Sequence, residues 1–270
     1  MMSTTEIPYI TVRGKRHCFS EPEVMGILNA TPDSFFADSR KQTEADIAQR
    51  ADEIVAEGGT IIDIGACSTR PGSEPVTAEE EMRRMRNALV TVRRNHPDAI
   101  LSIDTFRPEV AQMSVEEFGA DIINDVSGGT EEIFRLAARL QVTYLLMSSD
   151  PTAETVGAMF DRNIAALNRL GCDDIILDPG YGFGKDVAQN YGVLRRQRSL
   201  RRSHYPLLAG VSRKRMVWQL LGCTSEEALN GTTVVNAVAL QQGADILRVH
   251  DVKQAKETIK IIKECSCTSE

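Results

Sequence analysis

The chain of 270 residues has no basic excess: 38 acidic residues against 31 basic ones leave a net charge of −7. Nucleic-acid binders usually carry a basic face, so DNA and RNA are not expected partners. There is no run of about 18 apolar residues that could cross a membrane. The opening "MMSTTEIPYI" lacks the apolar core of a signal peptide. A soluble, cytoplasmic protein with no membrane partner is therefore expected. The six cysteines, Cys18, Cys67, Cys172, Cys223, Cys265 and Cys267, form no CxxC pair and have no zinc-type histidine spacing, which reads as reduced thiols. Low-complexity tracts and linkers are missing too, and no second domain is visible. No Ser–His–acid or Cys–His arrangement stands out, which argues against a covalent nucleophile.

What the sequence does contain is alternation. Eight short apolar runs, "VMGILN", "TIIDIG", "AILSID", "DIINDV", "VTYLLM", "DIILDPG", "PLLAGVS" and "DILRVH", are separated by stretches of helical period such as "TAEEEMRRMRNALVTVRRN". Glycines at Gly58, Gly59, Gly119, Gly171 and Gly243 precede the next apolar run, where a helix C-terminus leads into a strand. Eight strand–helix units in about 250 residues predict an α/β fold, a single (β/α)8 TIM barrel. A doubly wound open sheet is the alternative. Residues 1–22, alternating around Gly14, predict an N-terminal hairpin closing the barrel floor, with the barrel itself over 23–270.

Each run ends in polar residues that its apolar body does not foretell: Asn29, Asp63, Asp104, Asn124, Ser148, Asp178, Ser212 with Lys214, and Arg248 with His250. In such a barrel the C-terminal ends of the strands build the active site. Arg248, His250 and Lys214 are donors suited to phosphate oxygens. Asp104, Asn124 and Asp178 are acceptors that could hold a flat, donor-rich heterocycle by its edge. Glycines of "GYGFG", Gly182 among them, let backbone approach a flat ligand. An asparagine beside a phosphate site suits Mg2+ held mainly by substrate and water. Read singly, several of these have plainer roles. Asp104 and Arg248 could be a structural ion pair, Asn124 could satisfy backbone groups, and "PGYGFGK" could be only a turn.

Taken in order, "MGILNATPDSFF", "DIGACSTRPGS", "LSIDTFRPEVA", "IINDVSGG", "ILDPGYGFGK", "GVSRKR" and "ILRVHDV" make nearly the whole chain resemble the dihydropteroate synthase family of folate biosynthesis. The resemblance implies a transferase that joins 6-hydroxymethyl-7,8-dihydropterin diphosphate to 4-aminobenzoate, with a dissociative loss of diphosphate. It implies pterin contacts at Asp104, Asn124, Asp178, Gly182 and Lys214, and diphosphate contacts at Asn29, Thr69, Arg248 and His250. Asn29 would also be a magnesium ligand. Phe35, Thr69, Arg70, Pro71 and Ser212 would line the aminobenzoate pocket, which sulfonamides also occupy. Asp33, Asp104, Lys214 and Arg248 would serve the chemistry. Small-molecule substrates and a homodimer are implied as partners. The chain departs from the family pattern at Ala30, Ala66, Cys67, Ser148 and Arg215. A pterin-binding methyltransferase domain and a non-catalytic pterin-binding paralogue are the alternatives; the former leaves "STRPG" and the Arg248–His250 pair without a use.

Overall fold

A computed structural model describes residues 6–30, 44–67 and 76–266. The chain opens with a hairpin, β1 (Tyr9–Val12) and β2 (Lys15–Cys18). Its two-residue turn places Arg13 at φ 49° and Gly14 at φ 75°, the backbone that a right-twisted hairpin requires. Strands and helices then alternate: β3 (Glu23–Asn29), α1 (Glu44–Ala56), β4 (Ile61–Gly65), α2 (Ala78–Asn95), β5 (Ile100–Asp104), α3 (Pro108–Phe118), β6 (Ile122–Asp125) and α4 (Glu131–Leu140). They continue with β7 (Thr143–Met147), α5 (Ala153–Arg169), β8 (Ile175–Asp178), α6 (Val187–Arg195), β9 (Leu208–Ala209), α7 (Arg215–Leu221), α8 (Leu229–Gln241), β10 (Ile246–Val249) and α9 (Val252–Ser266).

The eight strands from β3 to β10 pair in parallel, in the order β8-β7-β6-β5-β4-β3-β10-β9. A parallel bridge between Leu177 and Leu207 closes β8 onto the approach to β9, so the sheet meets itself as the expected barrel. Strand β9 is shorter than its apolar run, only two residues, because Pro206 offers no N–H and Gly210 follows directly. The helices start and stop as their sequences dictate. Thr77 caps α2 by accepting from the Glu80 N–H, and Thr152 forms a capping box with Thr155 at α5. Gly119 ends α3 in the left-handed conformation, φ 63°.

Two cores follow from the strand period of two. Outward residues such as Ile62, Ile64, Leu101, Ile103 and Ile123 pack beneath the helices. Inward residues Met25, Ile61, Ile100, Ile122, Leu145, Ile176, Leu208 and Ile246 fill the lower barrel. The hairpin seals this layer from below: Ile10 is fully buried in it, the Thr11 N–H donates to Asp174 at 2.8 Å, and the Tyr9 N–H donates to the His204 carbonyl at 3.1 Å. Arg13 forks onto the buried carboxylate of Asp121, Nε–Oδ1 3.0 Å and Nη2–Oδ2 3.1 Å. On five of these strands the inward side chain changes character two residues further along. Above Ile61 comes Asp63, above Ile100 comes Ser102, above Ile122 comes Asn124, above Ile176 comes Asp178, and above Ile246 comes Arg248. The same alternation that fills the floor with methyl groups therefore lifts a polar layer to the mouth.

Candidate active site

Arg248 is the hub of that layer. Its side chain is 14% exposed and is held between two carboxylates: Nε donates to Asp63 Oδ2 at 2.6 Å and Nη2 to Asp104 Oδ2 at 2.5 Å. Nη1 makes no hydrogen bond among the described residues, so one edge of the guanidinium stays available. The two carboxylates keep the guanidinium charged throughout the accessible pH range despite burial. The Asp104–Arg248 contact anticipated as a structural ion pair is thus present, and it leaves part of the cation facing the mouth.

Asp63 is among the polar strand ends, but the sequence reading gives it no role in the site. It is fully buried, and besides Arg248 it accepts from Ser102 Oγ at 2.6 Å and from Asn124 Nδ2 at 3.2 Å to each oxygen. These bonds fix the Asn124 amide with its nitrogen toward Asp63 and its oxygen directed away as an acceptor. The signal was present in sequence: Asp63 lies two residues after Ile61, inside an otherwise apolar strand, and a charge there must have a buried partner.

Asp178 ends β8 and accepts from the Gly180 N–H at 2.7 Å. Burial pushes its pKa up, with the Lys214 charge pulling the other way. Burial also pushes Asp104 up to about 6; Arg248 opposes this and Asp63 adds to it. Lys214 precedes α7, its ammonium donates to the Tyr181 carbonyl, and its Nζ stands 4.6 Å from the centroid of Phe183. Burial lowers it to about 8, although Asp178 resists. Lys185 also falls to about 8 through burial; its Nζ donates to the carbonyls of Ser148 at 2.9 Å and Gly180 at 3.1 Å, tying the loop after β8 to the end of β7. "PGYGFGK" is therefore a turn, as its plainer reading held, and also a wall. At Gly180 (φ 67°) a Cβ would run into the Ser148 carbonyl, and at Gly182 (φ 82°) it would come 2.8 Å from Lys214 Cδ. Gly182 itself is exposed, with its N–H held by Asn190 Oδ1 at 2.7 Å.

His250 lies beyond β10. Burial and the nearby Arg248 charge lower it to about 4, so it is neutral at pH 7. Ser212, itself buried, bridges to it: the hydroxyl oxygen accepts from the His250 N–H at 3.2 Å and lies 3.1 Å from Nδ1. A serine proton directed to Nδ1 leaves Nε2 as the ring's donor. Arg213 does not join the site. It turns away, at φ 52°, to pair with Asp251 at 2.8 Å. Asn29 ends β3 exposed at the mouth. Asp33, Phe35, Thr69, Arg70 and Pro71 lie outside the described residues.

Of the departures from the family pattern, Ala66 is buried filler beneath α2. Ser148 is buried, and its hydroxyl donates to Asp150 at 2.9 Å. No group of three or more His, Cys, Asp or Glu residues among the described residues could enclose a metal ion.

Residues 25–250 match the family model for pterin binding enzymes. The chain is 36% identical over 260 residues to the dihydropteroate synthase of Escherichia coli K12, covering 90% of this chain and 92% of that one. It is 36% identical over 253 residues to the enzyme of the same name from Streptococcus pyogenes serotype M3, covering 89% and 94%. A solved structure of Xanthomonas albilineans dihydropteroate synthase with 4-aminobenzoic acid matches with a TM-score of 0.90 at 32% identity, over 98% of this chain and 100% of that one. The Yersinia pestis dihydropteroate synthase in complex with a sulfonamide drug gives 0.86 at 34% identity, over 95% and 98%.

Proposed function

The chain belongs to the dihydropteroate synthase family of pterin-binding enzymes, and from that premise we propose that it condenses 6-hydroxymethyl-7,8-dihydropterin diphosphate with 4-aminobenzoate. In this reaction the bond from the exocyclic methylene carbon to the diphosphate oxygen breaks, and its electron pair leaves with the oxygen. The aromatic amine then bonds to that carbon and sheds a proton, giving dihydropteroate and diphosphate. The observation that carries the reading is the polar layer itself, three carboxylates and an oriented amide around one partly buried guanidinium and one partly buried ammonium at the barrel mouth.

A pterin presents a row of N–H donors along its pyrimidine edge. Asp178 and the Asn124 amide oxygen are acceptors oriented to meet such a row. Lys214, lodged between Asp178 and Phe183, supplies one donor on the same side. The dissociative route separates a cationic pterin methylene from an anionic diphosphate, and each needs opposite charge already in place. Asp104 and Asp178 stand on the pterin side. The open edge of Arg248 and the Nε2 donor of His250 serve the diphosphate. The aromatic amine is a weak base that carries no proton at pH 7, so it needs no strong protein base.

Magnesium belongs to this proposal. The fit rests on donor chemistry: Asn29 offers a hard amide oxygen at the mouth, and no group of three or more His, Cys, Asp or Glu among the described residues forms an all-protein cage. That suits a cation that keeps water and substrate oxygens as most of its ligands. When bound it would neutralise charge on the leaving diphosphate. Asp33 for the chemistry, Thr69 for the diphosphate, and Phe35, Thr69, Arg70 and Pro71 for the aminobenzoate complete the reading. Sulfonamide binding in that pocket is part of it. Ser212 would contribute there indirectly, since its hydroxyl already serves His250.

The same reading includes a homodimer. Leu220 and Leu221 on α7, Val234 and Val238 on α8 and Ile261 on α9 expose large apolar side chains on three successive helices, which supports a buried partner face. A cytoplasmic location is supported by the unpaired thiols of Cys18, Cys172 and Cys223. No helix among the described residues is long and apolar enough to cross a membrane. The test is direct. Purified protein given the dihydropterin diphosphate, 4-aminobenzoate and Mg2+ should release diphosphate and form dihydropteroate only when all three are present. No product from folded protein would defeat the proposal.

A further inference from the structure

A second buried ion pair lies outside the polar layer. Glu81, one turn into α2, is fully buried. One oxygen accepts from Thr105 Oγ1 at 2.6 Å, and the other pairs with the Arg107 guanidinium. Arg107 precedes α3, and its Nη2 donates to the Val76 carbonyl at 2.6 Å. The Arg107 N–H returns to Thr105 Oγ1 at 3.2 Å, closing the cluster. Thr105 directly follows Asp104, and its N–H donates to the Asn124 carbonyl at 3.1 Å. One turn further along α2, Arg84 pairs with Glu80 at 2.7 Å and reaches the Ala66 carbonyl at 3.5 Å.

These contacts have one geometric consequence. Ala66 and Val76 flank the segment 68–75, which carries Thr69, Arg70 and Pro71. Both flanks are tied to the start of α2, and one tie runs on through Thr105 to the backbone beside Asp104 and Asn124. A fully buried carboxylate is costly to keep unless it is paired, and a helix cap or surface contact would have served folding as well. The expense is matched by a constraint between two strand ends that a reaction of two substrates needs held in register.

We infer that Glu81 and Arg107 are positioning residues, fixing the return of the β4–α2 connection against the end of β5. The connection to catalysis rests on the functional reading above. Neither residue touches substrate. Glu81 acts through the Thr105 hydroxyl and Arg107 through the Val76 carbonyl. Misplacement of a binding segment by about 1 Å can cost on the order of a hundredfold in rate.

The test uses the full chain with Glu81→Gln and Arg107→Lys, each measured with both substrates varied. Because Ala66 and Val76 bound the stretch of chain that carries the proposed aminobenzoate residues, KM for 4-aminobenzoate should rise about tenfold, while that for the pterin diphosphate changes less than about threefold. In Arg107→Ala, added guanidinium ion should restore the 4-aminobenzoate KM, since the Arg107 side chain is partly open to solvent. Hydrogen exchange of the same proteins without substrate should quicken in peptides around residues 66 and 76 and leave the later turns of α2 unchanged. Both KM values rising together with a drop in thermal midpoint would show a fold-wide role and overturn the inference. So would unchanged kinetics with unchanged exchange. If the unsubstituted protein releases no diphosphate, the functional reading fails by itself, and the exchange measurement still decides whether the pair holds the two flanks.

Discussion

Asp63→Asn isolates what the buried carboxylate contributes, because it removes one charge and almost no volume. In the native protein Asp63 accepts from Arg248, Ser102 and Asn124. An amide has one acceptor oxygen for those donors, and its own NH2 must then face a donor. Breaking a buried ion pair costs about 3–5 kcal/mol. Arg248 keeps Asp104 at 2.5 Å, so the lower end, about 3 kcal/mol, is expected. For a chain of this size that corresponds to a fall in thermal midpoint of roughly 6–10 °C. The same substitution has a second, opposite-looking effect. Asp63 is one of the charges that push the Asp104 carboxyl up to about 6. Without it, ionised Asp104 is easier to form, and the acid limb of kcat/KM for the pterin diphosphate should move to lower pH. Urea unfolding and a pH–rate profile from pH 4.5 to 9 measure both. A loss below about 1 kcal/mol, within the range of ordinary surface substitutions, together with an acid limb that stays or rises, would refute the account of Asp63 as the charge centre of the site.

Further outcomes follow from the same geometry. In the unsubstituted enzyme kcat/KM should be bell-shaped, falling as Asp104 protonates below about 6 and as Lys214 loses its proton above about 8; Lys214→Arg should remove the alkaline limb. His250 is held near 4 in the fold against about 6.5 when unfolded, so the unfolded chain takes up its proton first. Stability from this group is present above pH 6.5 and is lost as the pH falls toward 4, and His250→Gln should flatten that loss in acid unfolding curves. Gly180→Ala puts a methyl group into the Ser148 carbonyl at a positive φ, and should cost more than about 2 kcal/mol with a large loss of pterin affinity by calorimetry. Arg13→Ala removes the forked partner of the buried Asp121 at the opposite end of the barrel, leaving it Arg93 at 3.7 Å and the Leu101 N–H at 3.0 Å, and should lower stability by about 1–2 kcal/mol with kcat/KM unchanged. Val234→Glu should yield a monomer in sedimentation if the α7–α9 face is shared between copies.

The barrel was legible because its causes are local. Apolar runs of strand length, helical period between them and glycines at helix ends each act over a few residues, and eight repetitions leave little choice of architecture. The polar strand ends were legible for a related reason: Asp104, Asn124, Asp178 and Arg248 interrupt runs that burial would otherwise keep apolar. The hairpin, too, followed from alternation around Gly14. Less of the wiring could be read. Asp63 and Arg248 are 185 residues apart in the chain, and nothing local distinguishes their pairing from Arg248 facing only a ligand. Arg213 and Lys214 are adjacent and alike in charge, yet one serves the surface pair with Asp251 and the other the site, because the backbone turns between them.

By itself, then, the sequence determined which residues face inward and at which end of each strand the polar ones gather, since the strand period and the cost of burying charge act residue by residue. Only the tertiary structure decided who pairs with whom. Closure of the sheet brings β4, β5, β6 and β10 around one axis, so that Asp63 aims the Asn124 amide and shares Arg248 with Asp104. Burial there moves Asp104 and Lys214 toward neutrality and keeps His250 uncharged. Those shifts depend on the dielectric and the neighbours that the closed barrel supplies, and a linear pattern of residue types carries neither.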